Sequence, residues 1–211
     1  MSISSIRKDY QLRSLSESDV HASPVVQFSQ WWDEALKSEI DEVNAMTLST
    51  ITAAGRPSAR IVLLKGFDEK GFVFYTNYES DKGQQLDANP YASLVFFWKE
   101  LERQVRIEGK CERVSSEESD EYFYSRPLGS KLGAWASPQS KVIEGRQILD
   151  KNAAELQKQF ATGEVPRPPH WGGYRVVAES IEFWQGRSNR LHDRIKYINQ
   201  HGAWKIDRLA P

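Results

Sequence analysis

Arg190, His192 and Arg194 stand at alternate positions in Phe183-Trp-Gln-Gly-Arg-Ser-Asn-Arg-Leu-His-Asp-Arg194. If the chain runs extended from Arg190, a period of two sets all three on one face. Three cationic or titratable groups in a row repel one another unless an anion lies between them, and a guanidinium donates two hydrogen bonds at once to a phosphate. An edge strand charged against aggregation accounts for the arginines. It does not account for a histidine between them, beside Trp184-Gln185-Gly186. Arg60-Ile-Val-Leu-Leu-Lys65 is an apolar run with a cation at each end. On a regular strand these two cations face opposite ways, so they serve two different anionic groups or reach solvent as strand ends. Tyr122 and Arg126 are spaced i to i+4 on one helix face, and Ser130 follows Pro127 in a loop. Phenol, guanidinium and hydroxyl together make a phosphate cradle, or else a structural Tyr–Arg pair. Tyr75-Thr76, Gln104 and Gln139-Ser140 are polar positions beside apolar segments, suited to ordinary hydrogen bonds as well as to ligand contact.

The charge balance points to a small anion. The 211 residues sum to −1, yet residues 186–211 hold six Arg or Lys against two Asp. A basic cluster on a nearly neutral chain fits a compact anionic ligand or a solvated basic face better than nucleic acid. The single cysteine, Cys111, excludes an intramolecular disulfide and a cysteine-cluster metal site. His21, His170, His192 and His201 lack ligand spacing, so no metal is expected. Dinucleotide-binding, Walker A and nucleophile-elbow patterns are missing. No apolar run nears the roughly 18–20 residues that span a bilayer. Residues 1–8 lack the apolar stretch of a secretory signal, and the expected location is the cytoplasm.

The elements that must position these residues read as α+β. Residues 1–22 are polar and form a flexible arm; residues 23–211 form one domain. Ser23-Pro24 caps a first helix, with Val25, Phe28, Trp32, Ala35 and Leu36 at helical spacing. Strands are expected at 45–52, 58–65 (buried), 71–77, 91–98 and 101–114. In the last, Val105, Ile107, Gly109 and Cys111 alternate with Gln104, Arg106, Glu108 and Lys110. Residues 82–88 form a short helix. Ser115-x-x-Glu118 is a capping box for a helix to about Ser125, and Ser137-Pro138 signals a longer one over 139–160. Closing strands fall at 174–179, 181–185, 190–198 and 203–207. Short turns between strands indicate a mainly antiparallel barrel with peripheral helices.

The motifs, taken together and in order, resemble the pyridoxine/pyridoxamine 5′-phosphate oxidase family. They are Arg60–Lys65, Phe74-Tyr-Thr-Asn77, Leu101-Glu-Arg-Gln-Val105, Tyr122-Phe-x-Ser-Arg-Pro127, Gly133-Ala-Trp135, Gln139-Ser140, Trp171-Gly-Gly173, Glu182-Phe-Trp-Gln-Gly186, Arg190-Leu-His-Asp-Arg194 and the ending Ala203–Pro211. The resemblance implies an FMN-binding split β-barrel, acting as a homodimer with FMN at the subunit interface. Its substrates would be pyridoxamine or pyridoxine 5′-phosphate, oxidised to pyridoxal 5′-phosphate, with O2 as acceptor and H2O2 as product. It assigns FMN to Arg60, Ile61, Val62, Leu63, Leu64, Lys65, Tyr75, Thr76, Lys82, Gln104, Gln139, Ser140, Trp184 and Arg194. It assigns substrate phosphate to Lys65, Tyr122, Arg126 and Ser130, the reacting end to Arg190 and His192, and a lid to Arg7 and Tyr10. In this mechanism a neutral His192 accepts a hydrogen bond or proton. Intact Arg190 and His192 argue against a non-catalytic carrier of FMN or pyridoxal phosphate on the same barrel, and NADPH consumption would reveal a flavin reductase. One departure stands out. The family commonly has Ser-Arg-Lys where this chain has Ser80-Asp81-Lys82, and a carboxylate there is expected to point away from a bound phosphate.

Overall fold

A computed structural model of the chain describes residues 2–6 and 8–211. Nine strands form one antiparallel sheet: β1 (Ala45–Ile51), β2 (Pro57–Leu63), β3 (Gly66–Asp68), β4 (Gly71–Asn77), β5 (Tyr91–Trp98), β6 (Arg103–Arg113), β7 (Trp171–Gln185), β8 (Asp193–Gln200) and β9 (Ala203–Leu209). Their order is β2-β1-β5-β6-β7-β4-β3, and β8 and β9 continue from the far half of β7. β7 thus pairs with β4 through its first residues and with β8 through its last, as a strand that leaves one curled sheet for another must. The switch is marked by a register shift at Glu108/Gly109 on the facing β6. A β-carbon on Gly109 would collide with the Val177 carbonyl, so only glycine lets the strands approach there.

The inner face is a continuous aromatic and aliphatic core. Phe28, Phe72, Phe74, Phe96, Trp98 and Phe183 are almost wholly buried. Helix α1 (Pro24–Leu36) closes this core. Ser23 accepts the Val26 N–H at its cap, and the helix packs Phe28 edge-on against Phe67 and Phe72. Helices α2 (Asp81–Ala88), α3 (Ser116–Ser125), α4 (Leu128–Ala136) and α5 (Arg146–Gln159) lie outside. A second, smaller core of Phe123, Leu132, Val165 and Trp171 joins the α3–α5 group to the sheet.

Several sequence expectations hold. The α1 cap, the α3 cap in which Ser115 Oγ accepts the Glu118 N–H, and the alternation of β6 are all present. Cys111 is buried, which pushes its thiol up to about 12. Others need correction. The 58–65 segment is not a buried strand: β2 is a sheet edge, and Ile61 is 65% exposed. The helix expected from residue 139 begins at Arg146, after a turn in which Ser140 takes a left-handed φ of 69°. Ser130 sits in α4, not in a loop, and Arg126 follows the last turn of α3 with extended backbone. Residues 174–179 and 181–185 belong to one strand. Arg190 is not extended. Asn189 and Arg190 take left-handed φ of 55° and 62° in a tight turn, and β8 starts only at Asp193, so Arg190, His192 and Arg194 do not share a regular strand face.

Candidate active site

A cavity of about 640 Å³ opens between β2, β4, α3 and α4. Eleven of the residues singled out above line it: Ile61, Val62, Leu63, Lys65, Tyr75, Thr76, Lys82, Tyr122, Arg126, Ser130 and Gln139. β4 supplies Tyr75 and Thr76, opposite Gly173 and Gly172 of β7. The C-terminal end of α3 supplies Tyr122 and leads into Arg126. Tyr75 stacks on Tyr122 with centroids 4.0 Å apart and on Trp171 at 5.4 Å. The Arg126 guanidinium lies 4.6 Å from the Trp171 ring centre. Trp171 therefore orders Tyr75 and Arg126 at the cavity wall. Its motif was visible in the sequence, but a role for its ring was not.

The electrostatics of this cavity are one-sided. Lys65, Lys82 and Arg126 line it, and no carboxylate does. Arg126 Nη1 is buried without a hydrogen-bond partner among the described residues. Burial, against the influence of Tyr122, lowers the Arg126 pKa. The Lys82 ammonium is also held low, first by burial and then by Arg60, against the pull of Asp81. It donates to Gln139 Oε1 at 3.2 Å and to Ser80 Oγ at 3.3 Å. Arg60 stands behind the cavity wall and donates only to neutral acceptors: Leu48 O, Thr50 Oγ1, Ser58 Oγ and Gln85 Oε1. Half-buried cations without a paired carboxylate favour the arrival of an anion. Asp81 is the first residue of α2, exposed, where it complements the helix dipole, and it does not line the cavity.

The remaining residues lie elsewhere. Leu64 is in the core, and Ser140 is exposed beside Gln139. Arg7 falls outside the described residues. Gln104, Trp184 and Arg194 form a cross-strand row on β6, β7 and β8. Arg194 is largely engaged there: it makes a two-point pair with Glu182 at 2.8 and 3.1 Å and donates to Ala210 O. A second cavity, of about 500 Å³, is lined by Lys8, Tyr10, Arg187, Arg190 and His192 among others. His192 packs 4.6 Å from Trp184, and Tyr10 meets both rings edge-on. Burial and then Arg190 lower the His192 pKa below 6.5, against Asp193. Its Nδ1 accepts the Arg187 N–H at 3.0 Å. In the neutral ring the proton is therefore on Nε2, which leaves His192 a free donor and not a free acceptor.

The two cavities share no lining residue. They sit at opposite ends of β7, one beside Gly172-Gly173 and the other beside Trp184. That is roughly a dozen residues, or about 40 Å of strand contour. Sequence order could not reveal this separation.

An antiparallel sheet that splits along β7, with a cation-lined cavity at its edge, has the split β-barrel fold. Residues 32–160 match the Pyridoxamine 5'-phosphate oxidase family, and residues 171–211 match the Pyridoxine 5'-phosphate oxidase C-terminal dimerisation region. A pyridoxine/pyridoxamine 5'-phosphate oxidase of Nostoc punctiforme is 57% identical over 210 residues, covering 99% of this chain and 98% of that protein. Another, of Bordetella petrii, is 58% identical over 212 residues, covering 100% of both. PhzG from Burkholderia lata, solved in complex with tetrahydrophenazine-1-carboxylic acid, superimposes with a TM-score of 0.87 at 31% identity, over 92% of this chain and 95% of that one. The chain belongs to the pyridoxine/pyridoxamine 5'-phosphate oxidase family. Among the described residues no helix is long and apolar enough to cross a membrane.

Proposed function

We propose that the protein is an FMN-dependent oxidase that converts pyridoxamine or pyridoxine 5′-phosphate to pyridoxal 5′-phosphate. The observation that carries this reading is the carboxylate-free cavity with its orphaned Arg126 nitrogen. Its donor set fits two phosphates and a planar ring. Lys65, Tyr122, Arg126 and Ser130 suit the substrate phosphate. Lys82 and Gln139, with Arg60 behind the wall and Ser140 next to Gln139 outside the lining, suit the flavin phosphate, and the Ile61–Leu63 edge suits an apolar ring system. FMN, when bound, supplies the acceptor for a hydride from substrate C4′ and passes the two electrons to O2, giving H2O2. Overall, pyridoxamine phosphate, O2 and water give pyridoxal phosphate, ammonia and H2O2; the alcohol substrate needs no water.

The chain's own groups bind and orient. The phosphate contacts are remote from C4′, so their binding energy fixes the geometry of attack. Arg190 holds the C4′ substituent and stabilises charge there. His192, neutral at pH 7, donates from Nε2 to the same substituent.

Two chains complete the site in this reading. Arg190 and His192 line a cavity that shares no residue with the first cavity of their own chain, and the region carrying them matches a dimerisation region. Ile61, Val95, Phe97 and Gln104 share one sheet face by register, and Ile61 and Phe97 are 65% and 54% exposed. A second copy covering that face would bring its Trp184 end to the first copy's cavity. Residues 23–211 act as one domain, with residues 1–22 as an N-terminal arm whose Tyr10 lies at the reacting end. The test is the visible spectrum of the purified protein. The reading expects a flavin absorption that bleaches when pyridoxamine 5′-phosphate is added without oxygen. A colourless protein that takes up no FMN, or a flavin that stays oxidised with both substrates, would overturn it.

A further inference from the structure

Glu102 is a buried carboxylate that the proposed mechanism does not use. Its residue is 3% exposed, and its backbone takes a left-handed φ of 54° between Leu101 and β6. For a residue with a β-carbon that conformation is strained, so something must hold it. Two sets of contacts do. The Glu102 carbonyl accepts the Gly186 N–H at 2.7 Å and the Gln185 side-chain amide at 3.2 Å, which locks it to the end of β7. The carboxylate turns the other way. Oε2 accepts the backbone N–H groups of Gln11 and Leu12 at 2.9 and 3.1 Å, and Oε1 lies 3.4 Å from Lys8 Nζ. Every carboxylate partner among the described residues comes from the N-terminal arm.

The same stretch of arm carries Tyr10. Its ring fits a place built for it: a β-carbon on Gly186 would lie 2.7 Å from Tyr10 Cγ, so glycine leaves the room that the ring occupies. From there the ring meets Trp184 and His192 edge-on, at 5.7 and 5.9 Å. The next part of the arm is pinned separately. Leu15 is buried and donates to Asp193, and Tyr197 Oη donates to His21 O. Residues 8–12 are held by Glu102 and, at Asp9, by the Asn189 N–H, which its Oδ1 accepts at 3.3 Å.

We infer that Glu102 is a positioning residue: its carboxylate latches residues 8–12 of its own chain and so seats Tyr10 against Trp184 and His192 at the reacting end of the site. The inference rests on the proposed function for the meaning of that site, but the latch itself can be read without any substrate. It also assigns the arm to the same chain as the His192 it covers. Each arm therefore accompanies its own Arg190 and His192 to the partner's cavity.

The experiment uses the full-length, flavin-loaded protein with Glu102→Gln. As a second variant, Leu12→Pro deletes one of the donors at an exposed position and leaves the buried residue untouched. Trypsin sites after Lys8 and Arg13 report on the arm. Loss of one charge-assisted contact should make the arm roughly 10- to 100-fold more open to cleavage, with flavin content unchanged. Anaerobic flavin reduction by saturating pyridoxamine 5′-phosphate should slow in both variants. Adding Tyr10→Ala to Glu102→Gln should slow it no further, because latch and ring act as one unit. Unchanged protection of the arm in both variants would overturn the latch. Faster cleavage with a wild-type reduction rate, or defects that multiply with that of Tyr10→Ala, would overturn the positioning role. If even the wild-type flavin is not reduced, the functional reading fails, while trypsin still decides whether Glu102 holds the arm.

Discussion

At the residue scale, the account depends on which charges are left without partners. Arg126 has a buried nitrogen with no acceptor among the described residues, whereas Arg194 is bound on two sides. Arg126→Ala should remove a charge-assisted phosphate contact of about 1.5–3 kcal/mol, or roughly 10- to 150-fold in substrate affinity. Titration of the variant with pyridoxamine 5′-phosphate checks this; flavin content should hardly change. Arg190 carries a different load. It holds a left-handed backbone that costs of order 1 kcal/mol, beside His192. Arg190→Met should slow anaerobic flavin reduction about 10²-fold, as loss of a positioned electrostatic group does. The pH profile gives a second reading. His192 has a lowered pKa, so the neutral ring dominates above the usual 6.5; protonating Nδ1 would remove the acceptor of the Arg187 N–H that orients the ring, and the rate should fall as pH drops through the lowered value. Burial is the larger cause of that lowering and Arg190 the next. Removing Arg190 should therefore move the acid limb up towards pH 6.5. An acid limb that stays in place when stopped-flow rates are compared across pH would separate Arg190 from His192.

At the element scale, the local signals were legible where one side chain decides them. Ser23-Pro24 and Ser115 start helices because their side chains satisfy a first-turn N–H, and β6 alternates because one face meets the core. The misreadings have equally local causes. Ser137-Pro138 resembles a helix start, but a turn uses the same pair. The real start at Arg146 follows Gly145, which has no side chain to cap with. α4 also begins without a side-chain cap and contains Gly129 and Gly133, so its propensity is weak. The turn at Asn189-Arg190 was hidden by an alternation of charged residues that looked like a strand. Asn tolerates the left-handed region; Arg190 enters it under the constraint of its neighbours. Gly109 shows how strictly one element can limit another. Gly109→Ala would press a β-carbon on the Val177 carbonyl at the register shift. That should cost about 1–3 kcal/mol, seen as a fall in Tm of roughly 2–12 °C in a thermal melt. A melt unchanged from wild type would show that the shift absorbs the extra atom.

At the scale of the whole molecule, the site residues picked from the sequence separate into two groups on one chain. Lys65, Tyr122, Arg126 and Ser130 face the first cavity, and Arg190, His192 and Tyr10 face the second. No pattern in the sequence could show that separation, because it follows from the length of β7. Each working site of the proposed dimer takes one group from each chain. The direct test is a mixed dimer of Arg126→Ala and Arg190→Met chains, carrying different tags and purified through both. The two parent homodimers lack an intact site. In the mixed dimer, one site receives both damaged groups and the other receives neither. At low pyridoxamine 5′-phosphate, the mixed dimer should therefore recover about half of the wild-type oxidation rate per dimer, as expected for a two-fold assembly. A mixed dimer no faster than the mean of its parents would contradict the account and put both groups of each site on a single chain.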